Sequence, residues 1–281
     1  MDTRTQEFLN NPILPLLVRM AAPNTIAFFI QAIVVLTEVW FISKLGTTSL
    51  AAVALAFPIL MITQQMAFGA LGGAVTSSIA RSIGAGDTER AEKLLWHSLL
   101  IASCGALIFL LAFLLGGESL LKILGGRGPL LEESLSYSMI FLTGGILIWL
   151  SGSLSAALRG MGNMRYPAML MSISSGMQVI LSGGFILGWF GFPKLGIAGA
   201  AVSALASGGF MSLMMFFKLS SSSSKINLKI SRFSFEKELF KDILDVFLPA
   251  SLAPVFTVGT VLVLTGLVGQ FGTTALAGYG I

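Results

Sequence analysis

The 281-residue chain is poor in charge: Asp, Glu, Lys and Arg make up 11% of it, where a soluble chain carries about a quarter to keep its surface hydrated. That scarcity excludes an ordinary water-soluble enzyme. The one cysteine, Cys104, sits in an apolar run, which excludes an intrachain disulfide and a cysteine-rich metal site. There is one histidine, His97, beside Trp96; it reads as part of an interfacial aromatic pair, and no His or Cys cluster offers metal-ligand spacing. Basic residues outnumber acidic ones, 17 to 13, but they flank hydrophobic runs and form no stripe interleaved with aromatics, so no nucleic-acid partner is expected. Gly84-Ala85-Gly86-Asp87 lacks the Gly-Lys-Ser/Thr ending of a phosphate loop and reads as a turn in which Asp87 caps the next helix.

Apolar residues are abundant, at 55% of the chain with a mean hydropathy of +0.88. Uncharged runs cover residues 20–37, 45–80, 94–117, 134–158, 166–193, 195–217 and 246–281. Each holds the roughly 20 residues that a helix needs to cross a bilayer. Seven membrane helices follow, the first continuing through Glu38 to about Ile42. The runs lack the alternation of barrel strands, and the polar, mixed-charge amino terminus is no cleavable signal. The expected fold class is all-α, a polytopic helical bundle in a lipid bilayer.

Thirteen of the seventeen Lys and Arg fall in one set of alternate connections, among them Arg4, Arg81, Arg159, Lys225, Lys229 and Arg232. Positive connections stay in the cytoplasm, so the amino terminus is expected inside a cell (inner or plasma) membrane. Residues 220–245, opening on a serine tract, read as a mobile cytoplasmic linker. Beyond it the chain begins to repeat: Leu45-Gly46-Thr47-Thr48-Ser49-Leu50-Ala51 returns as Phe271-Gly272-Thr273-Thr274-Ala275-Leu276-Ala277, and Pro23 as Pro249. Six spans separate the copies, an even number, so the second has the orientation of the first, the parallel-repeat arrangement of several transporters. Residues 1–219 are expected to form a six-helix lobe, and 246–281 the opening of a truncated second lobe.

Twelve of thirteen acidic residues lie in tails, loops or span edges; Glu38 lies within the first span. Its distance from Lys44 puts it roughly 9 Å inside the helix end. An ionised carboxylate there costs at least a few kcal/mol unless a proton, a cation or hydrogen bonds compensate it. That makes Glu38 the candidate coupling site, with a structural hydrogen bonder or an interface-reaching side chain as the alternative. Ser175, Gln178 and Ser182 share one helical face, as do Ser203 and Ser207, while Gln64 and Gln65 sit mid-span. Turned inward, Gln64, Gln65, Gln178, Ser182 and Ser203 form a candidate cation or substrate pathway; helix-to-helix adhesion is the other use of such residues. Gly69, Gly72, Gly73, Gly183 and Gly184 read as close-packing positions, and Pro58 as a kink. An intramembrane enzyme needs a nucleophile with its acid and base, or metal ligands, at span depth. One carboxylate and one histidine do not assemble that, so no enzyme is expected.

The segments Thr37-Glu38-Val39-Trp40-Phe41-Ile42-Ser43-Lys44-Leu45-Gly46, Ala80-Arg81-Ser82-Ile83-Gly84-Ala85-Gly86-Asp87, Leu158-Arg159-Gly160-Met161-Gly162-Asn163, Leu195-Gly196-Ile197-Ala198-Gly199-Ala200-Ala201 and Leu248-Pro249-Ala250 are weak singly but specific in this order. With them the chain resembles the multidrug and toxic compound extrusion (MATE) transporters along almost its whole length. The resemblance implies a twelve-span antiporter of two lobes that exports drugs or other amphipathic or cationic small molecules, driven by inward movement of protons or sodium. No cofactor is implied, and a second, C-terminal lobe is the expected partner. Glu38 stands where the family usually has Asp. Gln178 and Ser182 stand where many members have Asn and Asp, and Ala204, beside Ser203, where Thr is usual. A sodium ion wants several hard oxygen ligands, and the missing second carboxylate makes proton coupling the expectation, with sodium at Glu38 as the alternative. A lipid-linked saccharide flippase of the wider superfamily is the rival reading. It is disfavoured because its cavity would need several basic residues and no Lys or Arg is expected centrally in the spans. An inactive fragment is the third.

Overall fold

The computed structural model describes residues 12–221, 226, 228 and 234–279, and every element among them is helical. Helix α1 (Ile13–Ser43) leads into α2 (Thr47–Gln64), which continues through a π-helical segment (Gln65–Leu71) into α3 (Gly72–Gly84). Helices α4 (Thr88–Ile123), α5 (Pro129–Thr143), α6 (Gly145–Gly160), α7 (Arg165–Leu187) and α8 (Ile197–Ser220) follow. The described part closes with α9 (Lys237–Gly269) and the short α10 (Thr273–Tyr279). Of the linker expected at 220–245, residues 222–225, 227 and 229–233 lie outside the described residues, as does Arg4, while 237–245 already belong to α9, so the helix starts nine residues before the expected boundary at 246.

Six of these helices, counting α2 to α3 as one, are long and apolar enough to cross a membrane, and α5 and α6 make a further pair bent by 46°. The bend falls at Gly144, where a Cβ would run into the Leu205 side chain of α8. Whether the pair is one crossing is decided by α1 and α7. Ser175 donates to Gln31 and Ser182 to Glu38, two bonds that join residues the same 144 positions apart. Residue numbers therefore rise together along both helices, which run in the same direction. That holds only if α5 and α6 cross once between them, giving seven spans.

The sequence pattern explains the packing. Along α1, Ala27, Gln31, Val34, Glu38 and Phe41 alternate spacings of four and three, the seam of two helices packed at a shallow angle. Its other side exposes Ile26, Phe29, Ile33 and Leu36, a stripe stable against lipid but not water. Between helices in lipid, close packing and hydrogen bonds replace the hydrophobic drive. Accordingly Thr76 Oγ1 donates to Ala156 O at 3.2 Å, Ser134 Oγ to Ala52 O at 3.2 Å and Ser212 Oγ to Leu147 O at 2.7 Å. A Cβ on Gly183 would meet Trp189 and one on Gly184 would meet Phe192, the close packing expected of them, whereas Gly69 and Gly73 face open space. The helix runs on through Pro58, and its departure from α geometry comes later, in the π segment.

Asp87 caps α4 as its position suggests, accepting from Arg90 N at 2.9 Å. The repeat also reappears in three dimensions. α1 ends at Ser43 and α9 at Gly269, and Gly46 and Gly272 both have positive φ (122° and 96°). The turn bonds match one for one: Lys44 N to Phe41 O and Gln270 N to Leu267 O, then Leu45 N to Ile42 O and Phe271 N to Val268 O.

Candidate functional site

Glu38 lies five residues before the end of α1, about 7.5 Å along the axis, on the seam facing α7. Ser182 Oγ donates to its Oε1 at 2.6 Å and Gln178 Nε2 donates to the same oxygen at 3.0 Å. The two donors are one helical turn apart on α7, so both reach α1 from a single face. Hydrogen bonds to an ionised acceptor are shorter and stronger than neutral ones, and two of them on one oxygen suit a carboxylate. The amide oxygen of Gln178 turns the other way, where Ser207 Oγ of α8 stands at 3.3 Å, within reach also of Ala204 O at 3.0 Å. Gln178 thus spans from the carboxylate to a third helix. Tyr137 of α5 is buried within electrostatic reach of Glu38.

Gln178 and Ser207 also stand on the wall of a cavity of about 460 Å³ bounded by α1, α2 with the π segment, α5, α6, α7 and α8. Gln64 and Gln65 reach the same cavity where α2 passes into the π segment. Widening a helix by one residue per turn re-aims its side chains, and such segments recur at functional sites. Of the residues picked from the sequence, Glu38, Gln178 and Ser182 therefore meet in one cluster, and Gln64 and Gln65 join it across the cavity. Ser203 does not: it is fully buried and its hydroxyl returns to Gly199 O at 2.7 Å, so α8 contributes Ser207 instead.

Sequence reasoning missed three residues. Gln31, seven positions before Glu38 on the same seam, was legible from that spacing. Tyr137 carries no local signal. The third is Arg159, counted in the sequence as a charge of the connection that follows: it stands next to last in α6, at the end of the span and not centrally, and it lines the cavity. It ends an i, i+4 stripe, Ser151, Ser155 and Arg159, that turns one face of α6 inward. It is the one charged residue on that wall among the described residues.

His97 also differs from the expected interfacial pair. It is fully buried at the start of α9, with Nδ1 2.7 Å from Lys93 O and Nε2 accepting Glu236 N–H at 2.9 Å. Beside it Lys93 pairs with Glu236 at 2.9 Å, and that hydrogen bond holds the Glu236 carboxyl below its usual range. Arg81 and Arg90 both bind Asp242 of α9, at 2.8 and 3.2 Å. Among the described residues no group of His, Cys, Asp and Glu side chains is arranged to hold a metal ion.

The MatE family model matches residues 23–182, more than half of the chain. A FAD transporter of Shewanella oneidensis is 34% identical over 206 residues, 71% of this chain and 44% of the relative. The probable multidrug resistance protein NorM of Thermotoga maritima is 27% identical over 270 residues, 94% of this chain and 57% of the relative. The inward-facing conformation of a multidrug resistance MATE family transporter superposes with a TM-score of 0.82 at 30% identity, covering 89% of this chain and 56% of that one. The chain thus spans about half the length of these relatives. It belongs to the MatE family and is a multi-pass membrane protein.

Proposed function

We propose that this chain supplies one lobe of a secondary antiporter that exports drugs or other amphipathic small molecules, driven by protons moving inward through Glu38. One observation carries the reading: Gln178 donates to Glu38 and also lines the cavity, so a change at the carboxylate is felt at the cavity wall. Relatives named for multidrug resistance support the cargo class. A differently named relative, the FAD transporter, widens it to aromatic compounds bearing phosphate.

As a carboxylate, Glu38 accepts from both Ser182 and Gln178. A proton on it turns an acceptor into a donor, and Gln178 must then re-pair its amide between Glu38 and Ser207. Cavity polarity and proton occupancy become linked, and such linkage is reciprocal: whatever the proton does to cargo affinity, cargo does to proton affinity. The cluster surrounds its one carboxylate with donors, which favours a proton over sodium, an ion that takes several oxygens. The positive connections favour a cytoplasmic amino terminus in the plasma membrane. A second six-helix lobe completes the transporter, in keeping with the length of the relatives and the repeated turn. The flippase rival needs several cations on the cavity wall, and among the described residues Arg159 is the one that stands there.

The test uses proteoliposomes holding the two-lobe transporter and a fluorescent dye. A pH gradient should drive efflux and a sodium gradient should not, and Glu38→Gln should abolish the pH-driven component. Undiminished pH-driven efflux in that variant removes Glu38 from the mechanism.

A further inference from the structure

Two residues that line the cavity each carry a buried polar atom without a hydrogen-bond partner among the described residues: Nε of Arg159 and Oγ of Ser174. A buried donor without an acceptor costs about 1–3 kcal/mol, more when charged, so native structures rarely leave one unmet without a use for it. Acids near this end of the bundle do not meet the need. Asp242 is held by Arg81 and Arg90, Glu236 and Glu89 by Lys93, and none of these lines the cavity. No Asp or Glu stands on the wall among the described residues, so nothing there offsets the guanidinium.

The rest of the wall fits a definite kind of guest. Ser155 stands one turn before Arg159 on α6, adding a hydroxyl on the same face. Phe28 and Phe68 supply apolar and aromatic surface within the same 460 Å³. A planar guanidinium offers paired N–H donors that match the oxygens of a phosphate or carboxylate, and a low-dielectric cavity strengthens that pairing. A cationic guest meets like charge at Arg159 with no carboxylate to relieve it.

We infer that the Arg159 end of the cavity binds the anionic group, phosphate or carboxylate, of a guest whose aromatic body lies against Phe28 and Phe68. The inference deepens the transport reading, on which it rests for the guest's role as cargo. Its binding chemistry is separable from transport and needs no gradient. The anion's source is either a soluble cargo or a lipid headgroup.

The experiment is equilibrium binding to the purified 281-residue chain in phosphatidylcholine nanodiscs. The probes are 1-naphthyl phosphate, 1-naphthoate and neutral 1-naphthol. The two anions should bind at least about tenfold more tightly than the naphthol, the scale of one charge-assisted hydrogen-bond set. Arg159→Gln should erase that preference while leaving naphthol binding unchanged, and Arg159→Lys should keep part of it. Retained naphthol binding shows that a variant is folded, and if Arg159→Gln does not fold, the three-probe comparison on the natural sequence and Arg159→Lys still decides. Displacement of naphthyl phosphate by phosphatidylglycerol, dependent on Arg159, assigns the anion to a headgroup; failure to displace assigns it to a soluble cargo. Equal affinity for the three probes, or an anion preference that survives Arg159→Gln, overturns the site. Anion binding that stands while Glu38→Gln leaves pH-driven efflux intact would sink the coupling reading alone.

Discussion

Ser182 and Glu38 are joined by a 2.6 Å hydrogen bond between two helices whose residues lie 144 positions apart in the chain. Its hydroxyl replaces the carboxylate that many relatives are expected to carry there, so the cluster holds one acid and a donor where two acids would repel. The bond also fixes the axial register of α1 on α7, since Ser175 and Gln31 repeat it seven residues earlier.

Removing that hydroxyl should loosen the α1–α7 seam. Ser182→Ala is expected to lower stability in detergent by about 1.5–3 kcal/mol, the range for a hydrogen bond to a charged group. Ser182→Thr should retain most of it. Thermal unfolding of the two variants side by side measures the difference, and equal loss in both would refute the hydroxyl's role.

The parallel register makes a cross-linking prediction. With Cys104 replaced by Ala, the pair Gln31→Cys with Ser175→Cys should form a disulfide, and so should Glu38→Cys with Ser182→Cys. The crossed pair, Gln31→Cys with Ser182→Cys, should not, because two helical turns, about 10 Å, separate the sites. Gel mobility under oxidising conditions reads the result.

Glycines that look alike in the sequence should differ sharply on substitution. A Cβ on Gly152 would lie 2.8 Å from Ala67 O, backbone that cannot yield cheaply, whereas one on Gly69 meets nothing within 4 Å. Gly152→Ala is expected to cost about 1–3 kcal/mol as overpacking, and Gly69→Ala to be near neutral. Comparable melting temperatures for the two would contradict this packing.

The start of α9 should respond to acid. Because the Lys93 ammonium holds the Glu236 carboxyl below its ordinary value of 4.5, its contribution is fully present above that value and is lost as pH falls through the depressed one. Hydrogen exchange at residues 234–240 should therefore accelerate as pH drops below 4.5, beyond the change intrinsic to the chemistry. Glu236→Gln should flatten that response. In the same place His97→Leu leaves the Glu236 N–H without its acceptor, a loss of about 1–3 kcal/mol if the group stays buried; unchanged exchange there would discount the His97 contact.

Amino-acid order alone determined the helical class, the spans and the one acid placed well within a span, because a bilayer admits only long apolar stretches and taxes any charge left inside one. It determined the repeat too, since the shared Gly-Thr-Thr follows turns closed by matching bonds at Gly46 and Gly272. Only the tertiary structure decided which polar side chains meet. Ser203 and Ser207 share a helical face, yet one bonds its own backbone and the other reaches Gln178. Arg159, which counts in the sequence as a loop charge, is in the last turn of α6 and lines a cavity with Ser151 and Ser155 of the same helix face. Periodicity assigns a residue to a face, but the rotation and tilt of neighbouring helices decide what that face meets, and those are set by contacts between residues far apart in the chain.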